Sequence, residues 1–228
     1  MKNSRTPILT VIVAVLALFV WMRHSGASAV TVIPDPAVDE MLAAQKGEAT
    51  VVVSGGCFWG IQAVFEHVKG VTRATSGYSG GTVKDPDYEQ VSSGATGHAE
   101  SVEIVYDPSK VTLGQLLKVF FSVAHDPTEL NRQGPDSGTQ YRSLIFFSNA
   151  EQRRIAQAYV DQLNQAKVFS GPIVTQIVPL EAFYQAEDYH QDYAAHHPDN
   201  PYIATFDLPK VRHLQQEFPN LYVGDAKK

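Results

Sequence analysis

Between residues 50 and 195 the hydrophobic period switches repeatedly between strand-like runs and helical spacing, with no long Gly/Ser/Pro stretch to break it. No other feature restricts the possible folds as much, because alternating elements must share one core. Residues 50–53 form a β-branched run ended by Gly55-Gly56, which predicts a buried strand and a tight turn. From Cys57 the pattern turns helical: Phe58, Ile61, Phe65 and Val68 recur at three- and four-residue steps, and Gly70 stands where a C-terminal cap would. Residues 71–76 read as a strand, followed by a glycine-rich turn at 77–81. Residues 101–106 alternate, with Val102, Ile104 and Tyr106 on one face, and Asp107-Pro108 ends that strand. Thr112 and Gln115 have the capping-box spacing and open a helix with Leu113, Leu116, Leu117 and Phe120 inward. A strand at 141–147 leads to a second capping box at Ser148 and Glu151 and a helix to about residue 165. A strand at 173–178 and a mostly helical stretch at 180–195 complete the series. The order β-α-β-β-α-β-α-β-α mixes adjacent strands with crossover helices. It predicts an α+β fold: a two-layer α/β sandwich, ferredoxin-like, with helices packed on a mostly antiparallel sheet.

Residues 1–29 read as a secretory signal peptide outside this fold. Lys2 and Arg5 give a basic start, residues 8–22 are apolar except for Thr10, and Ala27-Ser28-Ala29 supplies the small residues a signal peptidase reads. Cleavage is expected between Ala29 and Val30. The apolar run is shorter than the roughly 20 residues a spanning helix needs, which favours cleavage over an uncleaved anchor facing the periplasm. Either outcome exports the body to an oxidising compartment, the periplasm in a bacterium. Residues 30–49, with Pro34, Asp35, Pro36 and Gly47, read as an N-terminal arm or linker with one helical turn near 38–44. A single domain then runs over 50–228.

Composition excludes several functions. A net charge of −6 argues against nucleic acid as the main partner. The one cysteine rules out an internal disulfide framework and any zinc site needing two thiolates. His190, His196 and His197 with Glu187 and Asp188 fit no zinc-ligand spacing, so no metal is expected. An exported chain with one unpaired thiol points to a thiol with a chemical role.

Cys57 falls where a strand passes into a helix. Free N–H groups and the positive end of the helix dipole favour its thiolate, the nucleophilic form. Gly56 and Gly60 leave the backbone around the sulfur uncrowded. Phe58 and Trp59 cannot both point inward from the first turn, so at least one should line a surface pocket beside the sulfur, and aromatic rings suit a thioether or methyl group.

The sequence Gly56-Cys57-Phe58-Trp59-Gly60 resembles the active-site signature of the type A peptide methionine sulfoxide reductases. The resemblance continues in order through 77–81 (Gly-Tyr-Ser-Gly-Gly), Tyr88-Glu89-Gln90-Val91, Gly97-His98-Ala99-Glu100, Asp107-Pro108, His125-Asp126-Pro127, 138–143 (Gly-Thr-Gln-Tyr-Arg-Ser), 186–191 (Ala-Glu-Asp-Tyr-His-Gln) and Asn200-Pro201-Tyr202. It spans about Val51 to Leu221. The resemblance implies thiol-dependent reduction of L-methionine (S)-sulfoxide, in proteins and free, through a sulfenic acid on Cys57. It implies that Glu100 is the proton donor, that Tyr88 and Tyr141 assist, and that Asp136 is a second carboxylate orienting a water or a tyrosine. Phe58 and Trp59 would bind the substrate methyl. Read from the residues alone, Glu103 rivals Glu100. The family's resolving cysteines are missing: Ser92 stands at one such position, and no sulfur follows Tyr202-Ile203. No bound cofactor is implied. An external thiol would reduce the enzyme, whether a thioredoxin-like protein, a glutaredoxin or a small thiol, and oxidised proteins or peptides would be the other partners. Two further readings compete: a one-cysteine thiol peroxidase, and a non-catalytic module holding Met-rich segments in the aromatic pocket.

Overall fold

The computed structural model describes residues 33–224. The signal-peptide reading and the cleavage point before Val30 lie outside the described residues.

The strands are β1 (Ala49–Ser54), β2 (Val71–Ser79), β3 (Ala99–Tyr106), β4 (Arg132–Gln133), β5 (Asp136–Ser137), β6 (Leu144–Phe147), β7 (Gln176–Pro179) and β8 (Phe183–Gln185). The helices are α1 (Phe58–Glu66), α2 (Tyr88–Ser92), α3 (Leu113–Val119), α4 (Ala150–Ala166), α5 (Tyr193–His196) and α6 (Leu208–Glu217). Single π-helical turns at Phe120–Ala124 and Ile203–Asp207 extend α3 and precede α6. The main sheet has the order β7-β6-β1-β3-β2-β8. Its inner four strands, β6-β1-β3-β2, are antiparallel throughout. With α1 and α3 as crossovers they form the βαββαβ arrangement of a ferredoxin-like sandwich. β7 pairs parallel with β6, and β8 antiparallel with β2. β4 and β5 form a separate hairpin.

Strand parity sorts the side chains. Val51 and Val53 join Val102, Ile104 and Tyr106 in the main core, which also takes Ile61 and Phe65 from α1, Leu116 and Leu117 from α3, and Ile155, Tyr159 and Leu163 from α4. Val52 points the other way, into a smaller cluster with Ala99, Leu144 and Phe146 under Val178, Leu180 and Phe183. Because both faces of β1 are covered, its sequence is a continuous apolar run instead of an alternating one.

Several boundaries differ from the sequence reading. Residues 180–195 are not mostly helical: they hold β8, a 3₁₀ turn at Asp188–His190 and only the short α5. The open edge of β2 offers backbone partners to Phe183–Gln185, and this tertiary pairing overrides local propensity. β2 runs on through Gly77 to Ser79 because β3 and β8 bond it from both sides, so its turn begins at Gly80. The strand expected from residue 141 starts at Leu144, with Tyr141 in a 3₁₀ turn. The strand expected at 173 starts at Gln176. α1 is capped by His67, and Gly70, at φ +96°, turns the chain into β2. Asn149, not Ser148, caps α4, its side chain accepting the Gln152 N–H at 2.9 Å. No helix forms at 38–44. There Asp39 and Glu40 turn their carboxylates to the free N–H groups of α3, accepting from Gly114 and Leu113 at 2.8 Å each.

Candidate active site

Ser54 ends β1 opposite the start of β3, and its hydroxyl lies 2.7 Å from that of Ser101. The chain turns through Gly55 and Gly56 and enters α1 with Cys57 as N-cap. Gly56 sits at φ +99°, and a Cβ there would lie 2.5 Å from Gln133 Cγ, so only glycine fits. Cys57 is free and 8% exposed. Its sulfur makes no capping hydrogen bond, although the Trp59 backbone N–H lies close enough to favour the thiolate. That helix-end effect does not win. Burial, then the carboxyls of Glu100 and Asp207, push the Cys57 thiol well above its ordinary range. The expectation of an easily ionised thiol is therefore corrected: desolvation in the closed site outweighs the helix terminus.

Glu100 lies on β3, on the same face as Val102 and Ile104, and that face carries it to the start of α1. It is 2% exposed, and its Oε2 accepts the Phe58 backbone N–H at 3.1 Å. Burial pushes its carboxyl up to about 8. The Phe58 N–H opposes this, and Asp136 and Asp207 add to it. At neutral pH Glu100 is therefore protonated and able to donate. Glu103 has the opposite parity and pairs with Arg73 at 3.4 Å near the surface.

Tyr88 opens α2, where its backbone N–H donates to Glu187 Oε1 at 2.9 Å and its ring lies 4.5 Å from that of His190. Tyr141 sits in the 3₁₀ turn before β6. Both phenols are raised chiefly by burial, and both feel the charges of Glu100 and Cys57. They remain neutral donors. Asp136, on β5, accepts the hydroxyl of Tyr202. That tyrosine is one the sequence reading did not assign to the site.

The two aromatic residues after Cys57 divide between core and wall. Phe58 is buried at 1%, and Trp59 is half-buried. The Trp59 indole stacks on Tyr193 with centroids 3.9 Å apart and meets the Tyr202 ring edge-on at 6.2 Å. Its Nε1–H donates to His190 Nδ1 at 3.2 Å. Burial lowers the His190 pKa, so the ring stays neutral and that nitrogen can accept. Tyr78 donates to the other oxygen of Glu187 at 2.9 Å. The sequence reading passed over His190, Tyr202, Asp207 and Lys210 as site residues. Only the start of α6, with Pro209 in its first turn and Val211 and Leu214 at helical spacing, gave a local signal for the last two. A cavity of about 710 Å³ lies along the C-terminal half of α1, between Ala63, His67, Leu208 and Tyr222, and holds none of the residues around Cys57.

A buried thiol at a helix start, a protonated carboxylic acid on the adjacent strand, neutral phenols and an aromatic wall are the groups that thiol chemistry with general acid catalysis would use. The family model described as Peptide methionine sulfoxide reductase matches residues 49–221. The "Peptide methionine sulfoxide reductase MsrA 2" of Mesorhizobium japonicum is 62% identical over 179 residues, covering 78% of this chain and 92% of that one. The protein of the same name from Synechocystis sp. is 52% identical over 189 residues, covering 82% and 88%. Among solved structures, methionine sulfoxide reductase A of Corynebacterium diphtheriae aligns with a TM-score of 0.58 at 36% identity, covering 72% of this chain and 86% of that one. Reduced Mxr1 from Saccharomyces cerevisiae aligns with a TM-score of 0.60 at 30% identity, covering 72% and 92%. The chain belongs to the peptide methionine sulfoxide reductase family and is an oxidoreductase.

Proposed function

We propose that this protein reduces the S epimer of methionine sulfoxide, in proteins and free, with Cys57 as its single nucleophile, and that it repairs oxidised proteins in the cell envelope. The observation that carries the reading is the buried Glu100 carboxyl, held protonated against the first turn of the Cys57 helix. A sulfoxide oxygen leaves poorly unless it is protonated. Glu100 supplies that proton, and the hydroxyls of Tyr88 and Tyr141 donate hydrogen bonds without bringing charge into a dry site. Trp59 and Phe58 hold the methyl group. The Cys57 sulfur attacks the sulfoxide sulfur, and the oxygen passes to the cysteine. Sulfoxide plus thiol become thioether plus sulfenic acid. With one cysteine in the chain, no internal disulfide can follow. Two equivalents of an external thiol, from a thioredoxin-like protein, a glutaredoxin or a small thiol, return Cys57 to the thiol and release water and a disulfide. The basic start, the apolar run and Ala27-Ser28-Ala29 support export.

The test uses purified protein, a peptide carrying one defined sulfoxide epimer, and dithiothreitol. Methionine should form from the S epimer. One equivalent of sulfoxide without reductant should leave a sulfenic acid that a dimedone-type reagent traps. Equal rates on the R epimer, or an unmodified thiol after that single turnover, would refute the proposal.

A further inference from the structure

Asp207 is the N-cap of α6, yet its side chain caps nothing. It is wholly buried, its Oδ1 accepts from Lys210 Nζ at 3.2 Å, and its Oδ2 has no hydrogen-bond partner among the described residues. An Asp at a helix N-cap ordinarily bonds the free amides behind it, so this carboxylate is held elsewhere by tertiary packing. It is pressed against Gly60: a Cβ on Gly60 would collide with Asp207 Oδ1 and lie 2.8 Å from Lys210 Nζ. Gly60 stands three residues after Cys57, on the helix face that Cys57 begins. The missing side chain at Gly60 therefore lets a carboxylate and an ammonium from α6 settle within one turn of the sulfur.

We propose that Asp207 and Lys210 form a charge pair that governs the ionisation of Cys57, with Lys210 favouring the thiolate, Asp207 opposing it, and Asp207 also holding the ammonium over Gly60. The inference rests on the reading of Cys57 as the nucleophile. Glu100 faces Cys57 from β3, and the phenols of Tyr88, Tyr141 and Tyr202 face it from α2, the turn before β6 and the turn before α6. Asp136 acts on this group through Glu100 and Tyr202. At neutral pH Glu100 is protonated and the phenols are neutral. Lys210 is a cation whose charge bears on Cys57, and Asp207 is an anion there beside Glu100, whose larger effect is common to every variant compared. In a desolvated site both act with little screening.

Because the chain has one cysteine, iodoacetamide alkylation against pH reads Cys57 alone. It needs no sulfoxide, so failure here is separable from failure of the proposed reaction, which epimer turnover measures. Asp207→Asn keeps the oxygen that accepts from Lys210 and removes only charge. Its midpoint should move to lower pH, and alkylation below the midpoint should quicken about tenfold. Lys210→Met should slow alkylation about tenfold, and Lys210→Arg should restore it. Opposite shifts in the two neutralised variants cannot come from general loosening of the site, which would move both the same way. Shifts of the same sign would overturn the proposal. Should Lys210→Met fail to fold, a midpoint in Asp207→Asn that is unmoved or raised would overturn it alone.

Discussion

Replacing Glu100 by Gln keeps the size of the side chain and an oxygen for the Phe58 N–H but removes the ionisable proton. In the native protein the Glu100 carboxyl is pushed up to about 8, whereas in the unfolded chain it titrates at about 4.3. Between those values the folded state binds more protons than the unfolded one, so wild-type stability falls as pH rises through that window. At about 1.4 kcal/mol per pH unit, the loss between pH 4.3 and 7 attributable to this one group is about 3 to 4 kcal/mol. The slope, measured as urea unfolding at a series of pH values and taken as wild type minus Glu100→Gln, should contain this decline. Groups that do not interact with Glu100 cancel in the subtraction. Sulfoxide reduction should fall about 10²- to 10⁴-fold in the variant. The wild-type rate should decline as pH rises through about 8, and the variant should lack that limb. At pH 7, where Glu100 is already neutral, Cys57 alkylation should change little. Glu103→Gln, at the surface beside Arg73, is the control and should be nearly silent in both assays. Parallel stability curves for wild type and Glu100→Gln would show that Glu100 is not held protonated and would remove the proton donor from the mechanism.

Cys57→Ser should abolish methionine formation, because a serine hydroxyl is a far weaker nucleophile than a cysteine sulfur; more than trace turnover in a chromatographic assay would contradict this. Trp59→Phe loses both the indole bond to His190 and the stack on Tyr193, and should raise KM for a sulfoxide peptide about fivefold, or about 1 kcal/mol, with a smaller effect on kcat. Tyr202→Phe leaves the Asp136 carboxylate without its phenol and should lower kcat with little change in Cys57 alkylation, because the phenol carries no charge at neutral pH; a parallel loss of alkylation would contradict this. Protein recovered from the periplasm should begin at Val30 by N-terminal sequencing, and full-length chain in the soluble cytosol would contradict export.

Local chemistry in the sequence determined much of this protein. The capping box at Thr112 and Gln115 forms as its spacing requires, with the Gln115 N–H on Thr112 Oγ1 at 3.2 Å and the Thr112 N–H on Gln115 Oε1 at 3.0 Å. The β-branched run, the glycine pair and the helical spacing after them place Cys57 at a helix start, because residue pattern and turn chemistry are short-range signals. Strand parity separates Glu100 from Glu103 for the same reason. Which parity meets Cys57 was a tertiary matter, settled when β1 and β3 paired in their particular register and α1 crossed that face. The pairing of residues 183–185 with the edge of β2, and of Asp136 with Tyr202, depended likewise on segments distant in sequence. The ionisation of Cys57 shows the division most sharply. Its helix end is local and visible in the sequence, and it favours the thiolate. The burial and the carboxylates that oppose it come from β3 and α6 and exist only once the chain has closed around the sulfur, and in that desolvated interior they outweigh the helix terminus.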